Sequence, residues 1–440
     1  MNRNALYKSA KKNIPGISQL FGKRPELSLP GNNWPIYYSK AKGVSLWDLK
    51  GKKYLDFSMV GVGTSVLGYA DKDIVNVAKK VLTNGNMTTL NPPEDVYLAK
   101  EMIKLHPWAG GVKYTRTGGE SMAVAIRIAR TFTGKEKILF CGYHGWHDWY
   151  LAANLKSKSK LSYHLLPGIT PKGVPKYLKD TIIPFRFNNI EDLKNIVEKN
   201  AKNCAAIVLE PARETFPDKN FLKKLRIIAS KNNTVLIFDE ITSGWRMTIG
   251  GIHKLLGINP DLVIYGKTIA NGIPMGVIIG KKKIMNSSLN TFISSAFWTE
   301  RLGPACALEF IKKFKKNKVH KKLIENGKKI KNIWIKNAKK NDLNIEINGV
   351  DALASFKIKE KNWPVIITYF IQEMLIRHSI IANSQCYANY MHTDTALKKY
   401  DKAVSDVFYK IKKFNEKGIL EKKLLGPIKQ MGFNRLTKKK

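Results

Sequence analysis

Two apolar runs in this chain each end in charge. Leu236-Ile237-Phe238 leads into Asp239-Glu240, followed by Ile241-Thr242-Ser243-Gly244-Trp245-Arg246. Leu262-Val263-Ile264-Tyr265 leads through Gly266 into Lys267-Thr268. Each run has the length and bulk of a strand buried on both faces, as strands are in parallel sheets covered by helices. Ligands of open α/β folds gather at the C-terminal ends of such strands. Taken singly, Asp239-Glu240 reads as a helix cap, and Lys267 as a solvated loop lysine among 76 Lys and Arg. Together they read as a carboxylate and a lysine delivered by two strands.

That pair suits pyridoxal phosphate, which needs a lysine for its Schiff base and a carboxylate for its pyridinium nitrogen. The lysine amine must be neutral to attack an aldehyde, and desolvation lowers its pKa. The carboxylate must stay ionised to keep the ring protonated and electron-withdrawing.

Other segments complete such a pocket. Lys113-Tyr114-Thr115-Arg116-Thr117-Gly118-Gly119-Glu120-Ser121 reads as a strand end and glycine turn, and residues 122–130 read as an amphipathic helix. N–H groups at a helix start form a phosphate site, and glycine permits close approach. Lys137 to Cys141 is another strand, delivering Tyr143 between Gly142 and Gly145, where an aromatic can stack on a flat ring. His144 and His147 have no further ligand at metal spacing, so no metal is expected. Cys204 to Leu209 is a buried strand ending in Glu210-Pro211.

These residues resemble the class III aminotransferases of PLP fold type I, in the glutamate-1-semialdehyde aminomutase-like branch, over nearly the whole chain. Thr117-Gly118-Gly119-Glu120 is similar to the family's Ser-Gly-Thr-Glu phosphate turn, and Tyr143-His144-Gly145 to its ring-stacking Tyr-His-Gly. Glu210-Pro211 matches its Glu-Pro strand end. Asp239-Glu240-Ile241 matches Asp-Glu-Val, in which the Asp binds the pyridine nitrogen and the apolar residue packs on the ring. Gly266-Lys267 with Asn271-Gly272-Ile273-Pro274-Met275-Gly276 matches the Schiff-base lysine and its glycine-rich continuation. The resemblance implies Lys267 and Asp239 as catalytic residues. It implies Thr117, Gly118, Gly119, Tyr143, His144, Glu210, Ile241 and Thr299 around the cofactor with them, and a homodimer. It also implies an α/β architecture: a large domain on a mostly parallel seven-stranded sheet and a small α+β domain built from both termini. The segments expected are 1–70, 71–315 and 316–440.

The chain departs from the aminomutase pattern at two places. The Glu-Pro strand runs into Ala212-Arg213-Glu214 instead of Val-x-Gly-Asn. The segment Ser294-Ser295-Ala296-Phe297-Trp298-Thr299-Glu300-Arg301-Leu302-Gly303-Pro304 replaces Gly-Gly-Thr…Gly-Asn-Pro. The family's threonine that reaches a neighbouring subunit's phosphate falls on Ala296, leaving Ser295 and Thr299 as the nearby hydroxyls. The Phe-Trp-Thr-Glu-Arg run resembles a subgroup linked with sugar or polysaccharide modification. The expected activity is therefore transfer of an amino group from a donor to a small carbonyl acceptor, sugar-linked acceptors included. The alternatives are the aminomutase reaction forming 5-aminolevulinate and a non-catalytic binding protein, which would be expected to lose Lys267 or Asp239. Arg213 and Arg246 are candidate readers of a substrate carboxylate. Trp146, Trp245 and Trp298 are candidate walls of the acceptor site, with core or interface packing as the plainer alternative.

The net charge of +42 raises the question of a polyanionic partner. The lysines are spread along the chain, and Lys, Asn and Ile are all favoured by A/T-rich codons, so nucleic acid is not expected. The four cysteines lack zinc or redox spacing, which fits a reducing cytoplasm. No run of about eighteen apolar residues suggests a membrane helix. No apolar stretch follows the basic N-terminus, and Asn2 to Glu26 resembles the family's own N-terminal helix.

Overall fold

In a computed structural model, the chain is described at residues 3–31, 33–157, 161, 164 and 168–432. The Lys438-Lys439-Lys440 tract and Asn2 lie outside the described residues. Two compact units are present. The larger holds Gly63–Ser65 and Lys72–Lys321. The smaller holds Met1–Val62, Val66–Asp71 and Lys322–Lys440.

The larger unit is organised by seven strands: β1 (Gly111–Thr115), β2 (Lys137–Cys141), β3 (Ile182–Pro184), β4 (Cys204–Leu209), β5 (Val235–Asp239), β6 (Leu262–Tyr265) and β7 (Gly276–Gly280). Their order is β1-β7-β6-β5-β4-β2-β3. The five strands from β6 to β3 run parallel, and β7 lies antiparallel to both β1 and β6. Every residue of β4, β5, β6 and β7 is buried, because helices cover both faces of a parallel sheet and leave no solvent side for polar alternation.

Register places the charged strand ends together. Asp239 of β5 sits opposite Ile264 of β6, so β6 runs one residue further before Gly266 and Lys267. The helix after β1 spans Gly118–Thr133. Its N-cap Thr117 forms a capping box with Glu120, and Gly134, at φ 67°, ends it in the left-handed conformation. This helix passes close over β7. A Cβ on Gly276 would lie 2.3 Å from both Ser121 Oγ and Thr115 Oγ1, so only glycine fits there.

In the smaller unit, strands Ser45–Asp48 and Lys53–Phe57 form a hairpin that turns at Lys50-Gly51. Asp48 Oδ1 accepts the N–H of Lys50 at 2.9 Å and of Lys52 at 3.0 Å. The core of this unit packs helices Trp363–His378 and Asp394–Glu416 around Phe57 and Trp334. Phe57 stacks on Tyr400 with centroids 4.2 Å apart, and Trp334 Nε1 donates to Tyr400 Oη at 2.8 Å.

Candidate active site

Lys267 begins a short 3-10 turn directly after β6. Its φ of 41° is left-handed, a conformation that costs an L side chain energy and that the surrounding fold must impose. The side chain is partly buried, and Nζ lies 2.8 Å from Thr242 Oγ1. Burial first, and the Arg213 charge second, bring the amine down to about 8.

Asp239 is buried at the end of β5. Oδ2 lies 2.8 Å from Nδ1 of His144, and Oδ1 accepts the Ile241 N–H at 3.1 Å. His144 is itself buried, and its Nε2 lies 3.2 Å from the Cys141 carbonyl. His144 therefore stands behind Asp239, as its support.

The start of the Gly118–Thr133 helix is shaped for an anion. Glu120 Oε2 accepts from Thr117 N at 2.8 Å and from Arg116 N at 3.2 Å, and Thr117 Oγ1 accepts from Glu120 N at 3.3 Å. That capping box leaves the N–H groups of Gly118 and Gly119, which have no intrahelical acceptor, for a ligand. A Cβ on Gly118 would come within 2.9 Å of Ile241, and one on Gly119 within 2.7 Å of His147. Ile241 also lies against Gly266, with a Cβ there 3.3 Å away. One apolar side chain thus connects the helix start to the lysine turn.

Glu210 and Arg213 close another side. Glu210 Oε1 and Arg213 Nη2 are 2.6 Å apart, with Glu210 nearly buried and Arg213 28 % exposed. Nη2 also lies 3.4 Å from Thr242 Oγ1, and the guanidinium sits 6.0 Å from the centroid of Tyr143. Lys267, Thr242, Arg213, Glu210 and Tyr143 thereby form one linked group.

The Ser294–Gly303 segment is tied to the phosphate turn by a pair that the sequence alone did not single out. Arg116 Nε lies 2.7 Å from Glu300 Oε1, and its Nη2 donates to the carbonyls of Trp298 at 3.1 Å and Glu300 at 2.8 Å. Thr299 is exposed, and its hydroxyl donates to the Ala296 carbonyl at 2.8 Å. Arg246 is buried and donates to the carbonyls of Thr242 and Gly63, so its guanidinium is spent on backbone. Trp245 is core, set edge-on against Phe310 and Phe314. Trp146 is exposed and stacks on His147 at 4.5 Å. Glu240, beside Asp239, points the other way. It accepts from the N–H of His253 at 3.0 Å and lies 2.7 Å from that residue's Nδ1, buried with it. No group of three or more potential metal ligands occurs among the described residues. No helix among them is long and apolar enough to cross a membrane.

The fold and this strand-end site define a pyridoxal-phosphate transferase of fold type I. A PLP form of the FumI protein from Sphingopyxis sp. MTA144 superposes with a TM-score of 0.85 at 20% identity, covering 95% of this chain and 99% of that one. An omega-transaminase from Sphaerobacter thermophilus does so with 0.80 at 21% identity, covering 92% and 96%. The family model for class-III aminotransferases matches residues 28–380, and the chain belongs to that family of PLP enzymes. A 3-aminobutyryl-CoA aminotransferase of Cloacimonas acidaminovorans is 28% identical over 422 residues, 93% of this chain and 97% of the relative. A glutamate-1-semialdehyde 2,1-aminomutase of Nitrosopumilus maritimus is 34% identical over 336 residues, 73% and 76% of the two chains.

Proposed function

We propose that this chain is a two-substrate aminotransferase, moving an amino group from a carboxylate-bearing donor to a small carbonyl acceptor, with sugar-linked carbonyls among the candidates. The observation that carries this reading is the Glu210–Arg213 pair beside Thr242 and Lys267. Arg213, with 28 % of its side chain exposed, lies near the Lys267 amine across Thr242, and a planar fork matches a carboxylate.

Pyridoxal phosphate, when bound, supplies an aldehyde for an amine and a ring that, protonated on nitrogen, draws electrons from the substrate carbon. The free N–H groups of Gly118 and Gly119 suit its phosphate, with the Thr117 hydroxyl at the same edge. Tyr143 and Ile241 offer flat and apolar surfaces to the ring. The Asp239 carboxylate, held in place by His144 and the Ile241 N–H, would face the ring nitrogen. Glu210, through its hold on Arg213, would help close the pocket that receives the cofactor. Lys267 Nζ, at about 8, is neutral often enough near physiological pH to act as nucleophile. The same nitrogen then takes a proton from the substrate carbon and returns one.

The remaining features of the reading are a cytoplasmic setting, supported by four buried unpaired cysteines, and an isologous homodimer completed around residues 294–303. The aminomutase reaction is the second reading, favoured by the identity to the Nitrosopumilus relative. A donor–acceptor screen following interconversion of pyridoxal and pyridoxamine forms by absorbance tests the proposal. The expected result is conversion by an amino donor alone and reversal by a separate carbonyl compound. Conversion by no donor, with glutamate-1-semialdehyde alone turning over, refutes it.

A further inference from the structure

Thr242 lies three residues beyond the end of β5 and is 3 % exposed. Its hydroxyl has two partners among the described residues, Nζ of Lys267 at 2.8 Å and Nη2 of Arg213 at 3.4 Å. A guanidinium carries only donors, so Arg213 can do nothing at Oγ1 except donate. The hydroxyl proton then has one acceptor within reach, the lone pair of Nζ, and that lone pair exists only on the neutral amine. We infer that Thr242 is a positioning residue: its hydroxyl accepts from Arg213, donates to Lys267 in the neutral amine, and so favours the unprotonated form with its lone pair oriented.

The charges facing Lys267 make the direction of this hydroxyl matter. Arg213 and Arg246 favour the neutral amine, while Glu210 and Asp239 favour the ammonium. With two cations set against two carboxylates, a short hydrogen bond of fixed polarity adds to one side of a near balance. The opposite arrangement, Oγ1 accepting from an ammonium and from Arg213 together, strands the hydroxyl proton in a buried position, which is unfavourable. The two arrangements differ in sign. A donating hydroxyl lowers the pKa of Lys267, and an accepting one raises it.

The inference rests on Lys267 as the reactive amine and adds the residue that sets its protonation. The test is trace acetylation of the full-length protein, freed of cofactor, with acetic anhydride. The initial labelling rate at Lys267 is read by peptide mapping as a function of pH. Thr242→Val is nearly isosteric and leaves the backbone carbonyl that Arg246 uses. Its expected effect is an upward shift of the Lys267 midpoint by about one pH unit, with labelling near neutrality falling roughly fivefold to tenfold. Thr242→Ser should restore the wild-type midpoint, and Thr242→Ala should shift it in the same direction as Val. In an Arg213→Gln background the effect of Thr242→Val should shrink, since the hydroxyl is no longer obliged to accept there. An unchanged or lowered midpoint in Thr242→Val and Thr242→Ala overturns the inference. Borohydride reduction of the wild-type holoenzyme separates the two levels. A pyridoxyl group on Lys267 keeps the functional reading even if the Thr242 shift has the wrong sign, whereas a pyridoxyl group on another lysine removes both.

Discussion

Asp239 Oδ2 and His144 Nδ1 lie 2.8 Å apart in a region closed to solvent, although 95 residues of chain separate them. The imidazole is held at its other end by the Cys141 carbonyl, 3.2 Å from Nε2. A ring fixed at both nitrogens cannot swing, so the carboxylate it supports keeps one orientation. A carboxylate partner for a ring nitrogen must keep one place, and this packing holds it there.

Replacing Asp239 with Asn should preserve the fold and much of the cofactor binding, because size and hydrogen bonding to Ile241 N are nearly retained. Turnover should fall by about a hundredfold or more, since a neutral ring nitrogen is a weak electron sink. His144→Leu strips a buried carboxylate of one partner and should lower turnover by roughly tenfold to a hundredfold. Single-turnover absorbance measurements on both variants check this. Near-wild-type rates in Asp239→Asn would remove that residue from the pyridinium role.

Lys267 should weaken the cofactor-free protein at neutral pH. Burial, and then Arg213, lower its amine to about 8 from the ordinary 10.5. Below about 8 both folded and unfolded chains carry the proton, and the fold bears the full penalty of the buried charge. Between about 8 and 10.5 the unfolded chain binds the proton more tightly, so stability rises with pH, and above that window the penalty is gone. Lys267→Met should therefore be more stable than wild type by roughly 2–3 kcal/mol at neutral pH, with the gap closing in alkali. Urea unfolding of the two cofactor-free proteins at both pH values measures it. A gap that widens in alkali would contradict the sign.

Much of this site is legible in sequence because its parts are local. An apolar run ending in Asp239, another ending in Lys267, and a glycine turn before a helix are each decided within about ten residues, where burial and backbone preferences act directly. Partnerships are not local. His144 supporting Asp239, Arg213 reaching Thr242 across 29 residues and Arg116 binding Glu300 arise only once the parallel sheet has set strand ends side by side. The direction of β7 was also hidden, because Gly276–Gly280 reads as a glycine-bounded apolar run whichever way it pairs. Arg246 shows the same limit in reverse. Its residue type suggests a carboxylate, and its burial against two backbone carbonyls spends it elsewhere.

The larger unit should pair with a second copy of itself. It exposes Phe292 at 83 % and Phe297 at 71 %, with Leu289 at 83 % and Leu90 at 81 %. Leu289, Phe292 and Phe297 fall close together in sequence, and exposed apolar side chains that group together mark contact surfaces. Phe297 lies in the same turn as Thr299, in the segment that Arg116 ties to the start of the Gly118–Thr133 helix. Phe297→Glu should leave the fold intact and weaken dimerisation by about a hundredfold, the order expected from losing one buried aromatic. Sedimentation velocity across a dilution series reads this directly, and activity should fall along with the dimer. A fully active monomer in the wild type would rule the assembly out.

Reaction type turns on what happens after the first half of the exchange. A mutase must hold its doubly aminated intermediate until the amine on the first carbon has returned to the cofactor, or the diamine escapes and the cofactor is left in the pyridoxal form with its amino group lost. An aminotransferase must release its first product and admit another molecule. The chain differs from the mutase pattern at the two segments flanking the reactive amine. Glu210-Pro211-Ala212-Arg213 places a partly open guanidinium beside Thr242, and Ser294 to Gly303 is rebuilt around Arg116 and Glu300. A charged, open wall recognises a carboxylate without enclosing the molecule that bears it, which favours release. Glutamate-1-semialdehyde supplied alone to the pyridoxal form should therefore give up its amino group about once per site, releasing the dicarbonyl acid while the pyridoxamine form appears in the absorbance spectrum, with no sustained formation of 5-aminolevulinate. Adding a separate carbonyl acceptor should restore the pyridoxal form. Sustained multi-turnover formation of 5-aminolevulinate with no added donor or acceptor would show that the site retains its intermediate and would make this enzyme an aminomutase.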